Sequence, residues 1–284
     1  MIRKSLVLLA ICLFMFVDHI KADDLNFQEK ESPISLKIGL LPWDIVNLRI
    51  PKYSYFTIID VETGLRFRVQ RRAGSSHADV QPVTNKDTKI MKKIYSGKWS
   101  WKRRAIIVQY EDQMIAASMN GMPHGAGALK NGFPGHFCVH FYGSTTHRAN
   151  NPDHAHLLMQ LKARGKLDNY LDKADPYQLI QIIIIALNQE DRTIINGTIS
   201  KLENQKKFYK NTSKITSITI RNISYLPLED INELVTLEVP VEVELYKKNI
   251  GKEIKQINFI LSRGNVLDRW YINDQTLLKD LEIQ

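Results

Sequence analysis

Phe56-Thr57-Ile58-Ile59-Asp60-Val61 runs into the turn Glu62-Thr63-Gly64 and out through Leu65-Arg66-Phe67-Arg68-Val69-Gln70, where apolar and polar residues alternate. Alternation with period two puts one set of side chains on one face of a strand, so the stretch predicts a β-hairpin with one buried face. A second pair follows the same plan: Ala105-Ile106-Ile107-Val108-Gln109-Tyr110 and Met114-Ile115-Ala116-Ala117-Ser118-Met119 flank the polar turn Glu111-Asp112-Gln113. Between the pairs lies a polar stretch containing Gly74-Ser75-Ser76-His77-Ala78-Asp79 and Thr84-Asn85-Lys86-Asp87-Thr88. Downstream, Asn151-Pro152-Asp153 predicts a helix start with Pro at the first helical position, continuing through Leu157, Leu158 and Leu161 to Gly165. The first half therefore reads as a mainly β domain, mixed β sheets with a closing helix.

The chain turns charged between Lys166 and Asp175, and Asp175-Pro176 opens a helix through Tyr177 and Ile180 to Asn188. Its run Ile182 to Ile185 is too short for a membrane span and reads as a buried helix face. Strands are expected at 215–223, 234–246, 254–262 and 266–272. The second alternates Val239, Val241, Val243 and Leu245 with Glu238, Glu242 and Glu244. Helices followed by a long antiparallel sheet make an α+β unit. The expected division is 1–22 signal peptide, 23–52 lead-in, 53–167 β-rich catalytic-type domain, 168–175 linker and 176–284 α+β accessory domain. The order of elements and the ending Arg269-Trp270-Tyr271-Ile272 resemble the nuclear-transport-factor-2-like fold. With no histidine or cysteine in this half, a binding or spacing module is expected rather than a second active site.

Arg3 and Lys4 precede the apolar run Leu6 to Val17, and Ile20-Lys21-Ala22 offers a small residue for cleavage, so the chain is expected to be exported. Cys12 lies inside the signal, which leaves Cys138 as the one thiol of the mature protein and removes an internal disulfide from consideration. The predicted location is secreted or wall-associated, with membrane contact only through an uncleaved signal. Charge is uneven: residues 23–170 carry 21 Lys+Arg against 13 Asp+Glu, whereas 171–284 carry 15 against 16. The basic residues Arg66, Arg68, Arg71, Arg72, Lys92, Lys93, Lys98, Lys102, Arg103 and Arg104 would attract an anionic polymer. Outside a cell that partner is peptidoglycan or another anionic wall polymer; no aromatic-basic nucleic-acid motif is present.

All seven histidines beyond the signal fall between His77 and His156. The chemistry is expected around Gly135-His136-Phe137-Cys138-Val139-His140-Phe141. As a strand, this segment sends His136, Cys138 and His140 to one face and Phe137, Val139 and Phe141 into a core. A thiol becomes a useful nucleophile when an imidazole takes its proton, and His136 and His124 are the candidates. His147, His154 and His156 read as solvated or helix-terminal, and Arg148 as a carboxylate binder or a solvated charge. Trp99, Trp101 and Tyr110 read as core or rim packing.

Met122-Pro123-His124-Gly125, a glycine-bearing connection and the strand Gly135-His136-Phe137-Cys138-Val139-His140 resemble the active-site signature of L,D-transpeptidases of the YkuD type. The resemblance covers roughly residues 50–145. It implies an exported, β-rich acyltransferase acting on peptidoglycan stem peptides without a cofactor. Cys138 would be the acyl-accepting nucleophile, His124 the general base and His136 a shaping residue. Backbone amides near Cys138 would form the oxyanion hole, with Gly125 and His140 in support. Gly135, Phe137 and His140 stand where that family has a hydroxyl residue, glycine and arginine, and the His124-to-Cys138 spacing is shorter. Phe137 is expected to crowd a tight backbone approach.

Two alternatives come from other classes. His77 and Asp79, spaced His-x-Asp, could join His124, His136 or His140 around zinc with one open position for water, making a metal-dependent peptidoglycan hydrolase. A noncatalytic wall-binding protein would use the basic field alone.

Overall fold

The computed structural model describes residues 37–146, 153–226 and 231–281. The predicted signal, Cys12, His147, Arg148 and Pro152 lie outside the described residues. The chain is mixed α/β: a six-strand antiparallel barrel, a helical segment, and a curled four-strand antiparallel sheet.

Both predicted hairpins form. Strands β2 (Tyr55–Asp60) and β3 (Arg66–Ala73) pair antiparallel, as do β5 (Arg103–Tyr110) and β6 (Gln113–Asn120). The polar stretch between them folds as β4 (Ala78–Pro82) and helix α2 (Asn85–Ile94). The helix starts at Thr84 with a capping box: the Thr84 hydroxyl accepts from Asp87 N, and the Asp87 carboxylate accepts from Thr84 N at 3.0 Å. Only Thr88, Met91 and Ile94 of this helix are buried, a stripe too thin to stand out in a lysine-rich sequence.

Strand β7 (Phe137–His140) closes the barrel by pairing with β4 on one side and β6 on the other, giving the order β6-β5-β2-β3-β4-β7 and back to β6. The expected separate sheets are thus one closed sheet. Closure leaves no free edge on these six strands. Short strand β1 (Ile38–Gly39) adds in parallel to β6, and helix α1 (Trp43–Arg49) buries Val46 against the same core. Inside the barrel, Phe56, Ile58, Phe67, Val69, Val80, Ile106, Val108, Ile115, Met119, Phe137 and Val139 pack together. Full burial of each large side chain contributes about 1.5–3 kcal/mol.

Helix α3 (His154–Arg164) lies on the outer face of β5 and β6. Asp153 caps it through an acceptor bond from Ala155 N, and Gly165 ends it at φ 69. The helix thus begins at His154, two residues later than a proline at its first position would place it. Helices α4 (Leu167–Leu171), α5 (Pro176–Gln189), α6 (Arg192–Thr198) and α7 (Gln205–Thr212) follow. Leu167, Leu171 and Ala174 are buried, and Ile182, Ile183 and Ile184 enter the same apolar cluster. Among the described residues no helix is long and apolar enough to cross a membrane.

The second sheet has the order β11-β10-β9-β8, with β8 (Ile215–Ile223), β9 (Thr236–Lys247), β10 (Gly251–Ser262) and β11 (Tyr271–Ile272). Val239, Val241, Val243 and Leu245 are buried on one face of β9, as their alternation requires. The expected strand over 266–272 shrinks to Tyr271–Ile272. Asn265 and Asp268 bond across a turn, with Asp268 N donating to Asn265 O at 3.1 Å and Leu267 N to Asn265 Oδ1 at 2.8 Å, so the backbone is spent locally. Helix α8 (Asp274–Leu281) packs on β10.

Candidate active site

Alternation along β7 divides the cysteine segment as the strand reading requires. Phe137, Val139 and Phe141 enter the barrel core, while Cys138 and His140 point to the outer face, both at 3 % exposure. That outer face is roofed rather than open. Phe137 turns away from the sulfur to pack on Phe67 and Phe133, with ring centroids 6.2 and 5.7 Å apart.

Register brings the other groups in. Asp79 on β4 is the direct cross-strand partner of Cys138, and Ser118 on β6 is the partner of His140. Because Ala78 and Val80 face the core, His77 and Asp79 face the sulfur: Asp79 Oδ1 lies 3.8 Å from Cys138 Sγ and 3.2 Å from His77 Nε2. His136 Nε2 stands 3.7 Å from the same oxygen.

His124 arrives through an isolated antiparallel bridge in which His124 N donates to His136 O and His136 N to His124 O, each at 2.9 Å. Two glycines make that approach feasible. Gly125 has φ +59 and a Cβ there would fall 2.3 Å from the His136 ring; Gly135 has φ +112 and its Cβ would fall 2.4 Å from His124 O. Gly135 therefore stands where it does for backbone reasons. The connection between them hangs on Gln81, which donates to Gly135 O at 2.7 Å and accepts from Ala128 N at 2.9 Å. Asn131 braces it further, accepting from Phe133 N at 2.9 Å and donating to Pro82 O.

The outcome is a short contact between His124 Nε2 and Cys138 Sγ, 3.2 Å. His124 Nδ1 is 2.9 Å from Met122 O, and a carbonyl only accepts, so the proton sits on Nδ1 and Nε2 presents its lone pair to the thiol. The same logic holds for His136, whose Nδ1 donates to Ala126 O at 3.0 Å, and for His77, whose Nδ1 donates to Thr145 O at 2.9 Å.

Burial pushes the Cys138 thiol well above the ordinary thiol range, and the Asp79 carboxylate adds to the effect. The resting sulfur is a neutral S–H. His140 is held neutral by burial and by the neighbouring His156 and His77, and its Nδ1 has no hydrogen-bond partner among the described residues. It stacks between His77, 4.5 Å away by centroid, and His156, 3.7 Å away.

His156 corrects the expectation of a solvated or helix-terminal residue. It is 4 % exposed on the inner face of α3, with Nδ1 2.9 Å from Ser118 Oγ. His154 does remain near the helix start, against the Tyr170 hydroxyl at 3.0 Å. Beside these groups opens a cavity of about 730 Å3 lined by Trp101, Arg103, Asn120, His124, Cys138 and His140 among others. Trp101 forms its rim, half exposed and 5.3 Å from the His124 ring.

The structure brings Cys138, His124, His136, His140, Gly125, His77 and Asp79 into one locus. The zinc set of the hydrolase alternative overlaps it, but the group of described residues whose ligand atoms cluster is His77, Cys138 and His140, sulfur included. Ser118, Asn120, Gln81 and Thr145 were not identifiable from sequence, since none belongs to a motif and each enters by register or loop closure. The basic field is smaller than composition suggests. Arg71 is buried, donating to Gly74 O at 2.9 Å, while Arg104 is paired with Asp60 and Glu62, Arg103 with Asp153 and Lys102 with Glu190.

No family model matches the chain, and comparison with curated proteins and with solved structures returns no match.

Proposed function

We propose that the protein is a cysteine-dependent acyltransferase or amide hydrolase, with Cys138 as nucleophile and His124 as general base. The observation that carries this reading is the 3.2 Å contact between Sγ and an Nε2 whose lone pair is aimed by the Met122 carbonyl. The thiol is neutral at rest, so its proton moves to His124 Nε2 as sulfur attacks the acyl carbon. A C–S bond forms and the carbonyl oxygen takes the electron pair. Collapse expels the amine, which takes the proton back from His124, and leaves a thioester. Water or a second amine then attacks that thioester, returning the thiol. The cavity beside Cys138, about 730 Å3, is large enough for a peptide-sized acyl donor.

The resemblance to L,D-transpeptidases supports peptidoglycan stem peptides as the donor class and a location outside the cytoplasmic membrane. Trp101 at the rim offers an aromatic face to such a ligand. The test is incubation of the purified protein with isolated muropeptides, followed by mass analysis for loss or exchange of the terminal amino acid. Cys138→Ala should abolish turnover while leaving the circular dichroism spectrum unchanged. Turnover that survives in that variant rejects the assignment.

A further inference from the structure

We propose that His77, Cys138 and His140 also bind a single thiophilic divalent cation, zinc before others, and that metal and acyl substrate compete for the same sulfur. One ligand atom from each residue falls within 4.8 Å of the other two, and the three side chains are 0, 3 and 3 % exposed. Tetrahedral zinc with Zn–N and Zn–S bonds of about 2.0–2.3 Å holds its ligands roughly 3.5 Å apart, so small side-chain rotations close the site. Two imidazoles and a thiolate favour zinc over magnesium or calcium, which take oxygen ligands.

The supports around the cluster are those a metal site uses. His77 Nδ1 is tied to Thr145 O at 2.9 Å, which turns Nε2 inward. His140 Nδ1 is buried with no hydrogen-bond partner among the described residues, so they leave its desolvation uncompensated. Asp79 Oδ1, 3.2 Å from His77 Nε2 and 3.8 Å from Sγ, stands beside the three-residue group, where its charge with that of the thiolate would balance the ion. Loading displaces the thiol proton, which His124 Nε2 is positioned to receive and pass to solvent through the cavity. The metal site stands independently of the acyl-transfer reading; only the competition rests on it.

The test is titration of metal-stripped, full-length protein with Co2+, which reports sulfur coordination through a near-ultraviolet charge-transfer band. One equivalent should bind and be displaced by Zn2+. Cys138→Ser should lose the charge-transfer band, His140→Gln should weaken binding roughly 100-fold or more, and His124→Gln should retain it. Should His140→Gln fail to fold, wild-type protein supplies a second readout: Zn2+ should shield Cys138 from iodoacetamide, read at the peptide by mass, and a chelator should restore labelling. Absence of the band in wild type, an unchanged band in Cys138→Ser, or labelling indifferent to Zn2+ overturns the site. If Co2+ binds but muropeptide turnover fails, the site holds and the competition falls.

Discussion

Asp79 and Cys138 are direct partners across β4 and β7, and the carboxylate oxygen lies 3.8 Å from the sulfur. Burial opposes thiolate formation first and the Asp79 charge adds to it, so the sulfur stays protonated beyond the pH at which an ordinary cysteine ionises. Alkylation of Cys138 in metal-free protein should therefore keep rising with pH past the ordinary thiol range. Asp79→Asn removes the charge and should raise the alkylation rate at pH 8 by roughly tenfold, the effect of about one pKa unit. A slower or unchanged rate, measured by peptide mass, would show that Asp79 does not govern the thiol.

The bridge between His124 and His136 depends on Gly135, whose backbone has φ +112 and whose added Cβ would meet His124 O at 2.4 Å. Gly135→Ala should keep the barrel spectrum and cut covalent labelling of Cys138 by an acyl electrophile at least roughly tenfold, because a small displacement of a catalytic base is costly. Labelling at the wild-type rate would mean that the bridge does not position His124.

Gln81 links β4 to the loop by donating to Gly135 O and accepting from Ala128 N. Gln81→Leu leaves those buried groups unsatisfied and should cost about 2–3 kcal/mol in denaturant unfolding. The same variant should lower the labelling rate. A stability within error of wild type would contradict the role given to this side chain.

His140 and His156 are both kept neutral by burial; Arg103 and His77 add to the effect at each, His156 adds to it at His140, and Asp153 opposes it there. In the unfolded chain an imidazole takes a proton near pH 6.5. Unfolding of metal-free protein then takes up protons, so stability falls as pH drops below about 6.5, by up to about 1.4 kcal/mol per pH unit for each imidazole. Denaturation midpoints between pH 7 and 5 should show this slope, and His156→Gln should reduce it. Flat stability over that range would be inconsistent with two buried neutral imidazoles.

Much of this architecture is legible in the chain where alternation is strong. The hairpins at 55–73 and 103–120, the β9 strand and the helix opened by Asp175-Pro176 all carry period or capping signals that local physics enforces. The outward turn of Cys138 and His140 follows from the same alternation. What escaped the reading is set by long-range register. Strand β4 alternates Ala78, Val80 and Pro82 with Asp79 and Gln81, but it is short, lies in a polar stretch and buries its polar residues as fully as its apolar ones once the barrel closes. His156 looked like a helix-terminal residue because nothing in its own segment reveals that Ser118 and His140 lie beneath it. Gln81 is a single polar residue whose partners are 47 and 54 positions away.

The most direct test of Cys138 and His124 as a nucleophile–base pair is the intact mass of the protein after exposure to a carbapenem-type β-lactam. The account predicts a single adduct mapped to Cys138 in wild type, none in Cys138→Ala, and formation slowed roughly 100-fold or more in His124→Gln, as loss of a general base entails. An adduct that persists in Cys138→Ala, or a His124→Gln variant that acylates at the wild-type rate, would contradict it.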